Sequence, residues 1–178
     1  RNTYDVDVDW KTQLFAVEGA VDGLAALFAV LVSPGDAVAY ADPYYPSYHC
    51  MTVMSQAEEV LLPSLPERGF LPDLDAVPAD TWNRVKVLVL NYPNNPTGAQ
   101  APREFLERAI ELAHEHHFAI VQDFAYAGLG VREQQISILS LPGCLRRGCR
   151  SVLAVENVCD GRLAEPVSLP AMMTLWAM

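Results

Sequence analysis

Lysine is almost missing from this chain: Lys11 and Lys86 are the only two in 178 residues. Any chemistry that depends on a lysine amine is confined to those positions. Positive charge is scarce altogether, with 12 Lys and Arg against 22 Asp and Glu and a formal net charge of -10. An acidic surface argues against nucleic acid or an anionic membrane as partner, since both are recognised through basic patches. Long apolar runs are missing too. The longest, Leu24 to Val32, is far short of the roughly 18 to 20 residues of a membrane-crossing helix, and no charged leader with a small-residue cleavage site opens the sequence. The expected location is cytoplasmic. Cys50, Cys144, Cys149 and Cys159 form no CxxC pair, so free thiols are expected rather than disulfides or a zinc site.

What is present suits a soluble core. Apolar residues make up 51% and charged residues 19%, and the length fits one domain or a piece of a larger one. The opening "RNTYDVDVDW" has no initiator Met and reads as mid-domain sequence, which points to a fragment.

Two periods alternate along the chain. "TQLFAV" reads as a strand, and Ala20 to Leu31 then places Leu24, Leu27, Phe28 and Leu31 on one helical face. "DAVAYA" is a second strand, followed by a helix over Ser47 to Met54. "EEVLLP" is a third strand and "RVKVLVL" a fourth. A helix over Ala101 to His116 stacks Phe105, Ala109, Leu112 and His116, and "FAIVQD" is the fifth strand. Buried strands alternating with helices indicate an α/β fold with a mostly parallel sheet and helices on both faces. In such sheets ligands sit beyond the carboxyl ends of the strands. The unusual loops all fall there: Gly19-Ala20, "DPYYPSY", "NYPNNPTG" and "DFAY".

Those loops admit two readings. Asp123, at the end of an apolar strand, is either a turn-capping residue or a carboxylate held at a low-dielectric edge, able to keep a ligand's ring nitrogen protonated. Tyr126 and Asn95 could both donate to one ring oxygen. Tyr45 could stack on a ring face, or simply pack. Gly19, Ala20 and Val21 either punctuate a strand-helix junction or offer backbone N–H groups to a phosphate. Taken together they describe a pocket for a phosphorylated, hydroxylated pyridine. His114, His116 and His117 in "HEHH" have no Cys or Asp to complete a metal set and suit the end of a helix.

"NYPNNPTGA", "DFAYAGLG", "DPYYPSY", "SPGD" and "GFLPDLDAVP" resemble the class I/II aminotransferases of fold type I, nearest the LL-diaminopimelate and aspartate aminotransferase-like members. The resemblance covers about residues 1–143. It implies part of the large domain that binds pyridoxal 5'-phosphate, and transamination between an amino acid and a 2-oxo acid. By the same resemblance Asn95 and Tyr126 bond the cofactor's ring hydroxyl oxygen, Asp123 pairs with the pyridinium nitrogen, Tyr45 stacks on the ring, and the Gly19–Val21 turn approaches the phosphate. A homodimer is implied as well. One departure is "GAVDG" where relatives carry "GSKEG"-like turns.

The Schiff-base lysine of that family has no counterpart here, so no catalytic residue is assigned. "SILSLPGC" at Ser137 to Cys144 matches the family's "SILQVPGA", but neither Lys nor the expected "SLSKTYNMAGWR" follows it. Codons can be chosen for Leu153 to Ala164 that, read one base later, encode "SLSKTYAMGGWR". Residues 144–178 are therefore expected to be an out-of-register tail after a partial large domain at 1–143. As written the chain is expected to be inactive. The alternative is a non-catalytic remnant that binds a partner or a pyridoxal derivative.

Overall fold

The computed structural model describes residues 11, 13–127, 135–144, 152–157 and 171–174. Seven strands form one sheet, from Leu14–Val17 (β1), Ala37–Asp42 (β2), Glu58–Pro63 (β3), Val85–Asn91 (β4), Ala119–Phe124 (β5), Val152–Asn157 (β6) and Ala171–Thr174 (β7). Their order is β1-β7-β6-β5-β4-β2-β3. Neighbours from β6 through β5, β4 and β2 to β3 run parallel, while β7 is antiparallel to both β6 and β1. This is the mostly parallel α/β sheet expected from the alternating periods.

The helices are Ala20–Leu31 (α1), Ser47–Met54 (α2), Ala79–Trp82 (α3) and Arg103–His116 (α4). Their placement follows from the strands' own alternation, because successive side chains of a strand point to opposite faces. Val38, Tyr40, Val87, Val89, Ala119 and Val121 pack with Leu24, Leu27 and Phe28 of α1 and Tyr48 and Met51 of α2. The intervening Ala39, Leu88, Leu90 and Ile120 pack instead with Leu106, Ala109 and Ile110 of α4 and Trp82 of α3. Both faces of the central strands are thus covered. Leu88 and Ile120 are fully buried, each worth about 1.5 to 3 kcal/mol in area removed from water. Trp82 stacks on Phe118 with ring centroids 5.2 Å apart, which anchors the far layer beneath β5.

The boundaries expected for α1, α2 and β3 coincide with those observed. β4 and β5 each lie one residue further along than expected. Two corrections concern α4. It begins at Arg103, not Ala101, because Pro102 keeps an extended backbone with ψ 162°. Its buried residues are Leu106, Ala109, Ile110, Leu112 and Ala113, so the core stripe is centred beside the expected one; Phe105 and His116 lie at its margins. The helix stops where His117 adopts the left-handed conformation, φ 60°. Sequence periodicity assigned no element to the region after Cys144, where β6 and β7 now stand in the sheet.

Candidate functional site

A cleft of about 350 Å³ opens between the N-terminus of α1 and the carboxyl ends of β4 and β5. Six candidate residues line it: Gly19, Ala20, Val21, Tyr45, Asp123 and Tyr126. Asn95 is not part of the lining, yet its side-chain Nδ2 donates to Tyr126 Oη at 2.9 Å. The structure therefore brings all seven to one place.

Asp123 is 4% exposed. Its Oδ2 accepts a hydrogen bond from Tyr48 Oη at 2.5 Å, and its Oδ1 accepts one from the Ala125 N–H at 3.1 Å. Burial raises the carboxyl above its ordinary pKa, and the bonds from Tyr48 and Ala125 pull it part of the way back. The Tyr48 phenol is pushed well up by burial, then by the neighbouring Asp123 charge and their shared bond. Its proton stays on the phenol and points at the carboxylate.

The loop after β4 is shaped by its own asparagines. Asn94 Oδ1 accepts from Thr97 N–H at 3.1 Å and from Thr97 Oγ1 at 2.6 Å. Gly98, at φ 72°, turns the chain so that its N–H reaches Asn94 O at 2.8 Å; a left-handed φ is cheap only for glycine. Asn91 then couples the loop to the neighbouring strand. Its Nδ2 donates to Asp123 O at 3.1 Å, and its Oδ1 accepts from Asn95 N–H at 2.8 Å. With backbone and neighbours held this way, the Asn95 side chain is free to face Tyr126.

The opposite wall is plainer. No side chain caps α1 at Gly19, and the Gly23 N–H donates to Gly19 O at 3.1 Å. The preceding amides face an opening where a helix end favours negative charge. Glu18 and Asp22 line the same wall, both exposed, and among the described lining residues there is no Lys or Arg.

Sequence reasoning missed Tyr48, Asn91, Glu18 and Asp22 as members of the site. A signal existed for the first two. Asn91 opens "NYPNNPTG" and Tyr48 closes "DPYYPSY", but each looked like an accessory to its motif. Elsewhere, His114 Nε2 lies 3.0 Å from Gly143 O and His116 Nδ1 2.8 Å from Asn83 Oδ1. Among the described residues no group of His, Cys, Asp and Glu could hold a metal, and no helix is long and apolar enough to cross a membrane. Cys50 is an exposed free thiol, whereas Cys144 is buried with its Sγ 3.1 Å from Leu139 O; Cys149 and Cys159 lie outside the described residues.

Residues 1–149 match the family described as aminotransferase class I and II. The LL-diaminopimelate aminotransferase of Syntrophobacter fumaroxidans is 38% identical over 144 residues, which is 80% of this chain and 37% of that protein. The L-glutamine–4-(methylsulfanyl)-2-oxobutanoate aminotransferase of Bacillus subtilis is 37% identical over 130 residues, 73% of this chain and 33% of that one. Among solved structures, an aspartate aminotransferase mutant of Thermus thermophilus superposes with a TM-score of 0.83 at 30% identity, covering 98% of this chain and 46% of that one. Substrate-bound BacF of Bacillus subtilis gives 0.87 at 28%, covering 97% and 43%. The chain thus spans about two fifths of the length of such relatives, and over that span it belongs to the class I and II aminotransferases, a pyridoxal-phosphate-dependent family.

Proposed function

We propose that this chain is a partial large domain whose cleft holds pyridoxal 5'-phosphate, the cofactor of transfer of an amino group between an amino acid and a 2-oxo acid. The observation that carries the reading is the convergence of a buried, phenol-supported carboxylate, an Asn–Tyr donor pair and an uncapped helix end on one cleft of suitable size. These groups fit the cofactor. Asp123 holds a proton on the pyridine nitrogen, and a cation there compensates the cost of burying the carboxylate. Asn95 and Tyr126 donate to the ring hydroxyl oxygen, Tyr45 covers a ring face, and the amides at Gly19, Ala20 and Val21 meet the phosphate. When bound, the cofactor supplies an electron sink for proton removal at an amino acid's α-carbon. The chain's contribution is to orient the ring and keep its nitrogen protonated.

The relatives differ in the substrates their names state, so we leave the amino acid unspecified. Cytoplasmic location and a homodimer belong to the same reading, by resemblance.

Neither Lys11 nor Lys86 falls on the family's lysine motif, and we read the chain as written as a cofactor-binding form without transaminase turnover. We further read residues 144–178 as out of register. The support is the motif alone: codons can be chosen for Leu153 to Ala164 that encode the family's lysine segment when read one base later. The underlying DNA decides it, since codons unable to encode the motif would sink the idea.

The test of the site is equilibrium binding of pyridoxamine 5'-phosphate, which has no aldehyde to react with stray amines. Saturable binding of one ligand per chain, weakened in Asp123→Asn, is expected. No binding at millimolar ligand rejects the cleft. A second measurement separates enzyme from remnant: borohydride treatment with pyridoxal 5'-phosphate followed by mass spectrometry. An adduct at Lys11 or Lys86 accompanied by transaminase turnover would overturn the inactive reading.

A further inference from the structure

Asn91 lines the cleft, yet both polar atoms of its side chain are bonded to the protein. Resting on the cleft reading above, we infer that Asn91 is a positioning residue that fixes the Asn95 donor relative to Asp123. Recognition of the hydroxyl end of a 3-hydroxypyridine ligand then depends on Asn91, whereas recognition of its ring nitrogen does not.

Asn91 ends β4 and stands in register with Asp123 on β5. Its side chain reaches two ways at once: Nδ2 donates to Asp123 O at 3.1 Å, and Oδ1 accepts from the Asn95 N–H at 2.8 Å. The residue is 5% exposed, so water cannot readily replace either bond. Bonds within the loop, from Thr97 and Gly98 to Asn94 and from the Asn94 N–H to Ala99 O, hold its shape. Tyr92 ties its near end toward the α4 layer, through Oη to Phe70 O at 3.3 Å and edge-on to the Phe105 ring. The Asn91 amide is what sets the loop against β5. At the rim the Asn95 side chain then meets Tyr126 in a bond open to solvent, too weak to hold the loop by itself.

The two ends of a ring depend on this residue unequally. The Asp123 carboxylate has its own supports in Tyr48 Oη and the Ala125 N–H, and keeps its place when Asn91 is truncated. Asn95 is held through its backbone N–H by Asn91 itself. Without that bond the loop gains freedom, and a donor displaced by about 1 Å has lost most of a hydrogen bond. The signature is a loss confined to ligands that carry the hydroxyl.

Titration calorimetry on the full chain gives the dissociation constants of pyridoxamine 5'-phosphate and of its 3-deoxy analogue, which keeps the ring nitrogen and the phosphate and lacks the hydroxyl. In the unmodified chain the hydroxyl is expected to raise affinity by about 10- to 100-fold. Asn91→Ala is expected to cut that ratio by about 3- to 10-fold, as far as Asn95→Ala does. Asn91→Ala/Asn95→Ala should cut it no further, the non-additivity of residues that act through one contact. The deoxy ligand should bind Asn91→Ala nearly as well as it binds the unmodified chain. Circular dichroism checks folding, and Asn91→Ser, a shorter polar side chain that cannot span both partners, takes the same test should the alanine variant not fold. If Asn91→Ala weakens both ligands by one factor while Asn95→Ala lowers the ratio, Asn91 is merely structural, and the inference is overturned with the cleft reading intact. If Asn95→Ala leaves the ratio unchanged the inference also falls. If, besides, Asp123→Asn weakens neither ligand, the cleft reading falls with it.

Discussion

On one side of the cleft the side chains are tied to one another across three elements. Tyr48 of α2 holds Asp123 of β5, Asn91 of β4 holds both the Asp123 carbonyl and the Asn95 amide, and Asn95 holds Tyr126. On the other side, α1 begins at Gly19 with no side-chain cap, and its polar neighbours Glu18 and Asp22 stand in solvent. The first wall is a network in a low-dielectric setting, where each member fixes the next and an unpaired group is costly. The second is a backbone surface that waits for an anion. For the ligand proposed above, the groups that would face the ring are fixed before binding, whereas any phosphate contact is left to backbone amides.

The contrast breaks first at Asp123. Asp123→Asn is expected to weaken pyridoxamine 5'-phosphate by about 10- to 100-fold, the worth of one charge-assisted bond in a buried site; titration by ligand fluorescence measures it. In a full-length aminotransferase of this family the equivalent change should lower turnover by orders of magnitude.

Tyr48→Phe tests whether the phenol supports the carboxylate. Loss of a bond to a charged, buried partner is expected to cost about 1.5 to 3 kcal/mol, read as a fall of several degrees in melting temperature. It also removes the group that pulls the Asp123 pKa down, so that carboxyl should titrate higher still. The sign of the pH effect follows. In the ligand-free protein the folded carboxyl keeps its proton above the pH at which the unfolded one loses it. Between those two values the folded state binds more protons, so this residue's contribution to stability falls as pH rises through the window. Thermal melts against pH should show the slope in the unmodified chain, a wider window in Tyr48→Phe, and none from this position in Asp123→Asn.

Asn91→Ala is expected to cost about 1 to 2 kcal/mol, because two bonds vanish from a side chain that is 5% exposed; chemical denaturation measures it. The smallest effect belongs to Tyr126→Phe. That ring is 36% exposed, so stability should hold within about 0.5 kcal/mol, while ligand affinity drops only a few-fold through one lost donor. A large destabilisation would place Tyr126 inside the network instead of at its rim.

Much of the first wall was legible in the sequence through its ends. Asp123 closes an apolar strand, and Asn95 sits in a loop too rich in Pro and Gly for an ordinary turn. Its interior was not legible. Tyr48 and Asp123 are 75 residues apart in the chain, and only the packing of α2 against the sheet brings the phenol to the carboxylate. Asn91 read as the first residue of its loop, and its bond to the neighbouring strand could not be seen because Asp123 lies 32 residues further along the chain. Helix limits were readable where punctuation is strong, as at Gly19 and at Pro46. The core stripe of α4 was misjudged by about one position because it is broad enough to satisfy more than one choice of apolar spacing. The charge of the second wall was visible in "EGAVDG", but that it borders a cleft follows only from the sheet order.

The bridge made by Asn91 also sets a timescale. The Asn95 amide belongs to a loop, yet its acceptor is a side chain rooted in β4 and fastened to β5. Opening that amide to solvent requires release of a buried side chain that is itself bonded to β5. Its hydrogen exchange should therefore run with the slow amides of the sheet and not with neighbouring surface turns, and the loop keeps the clock of the core.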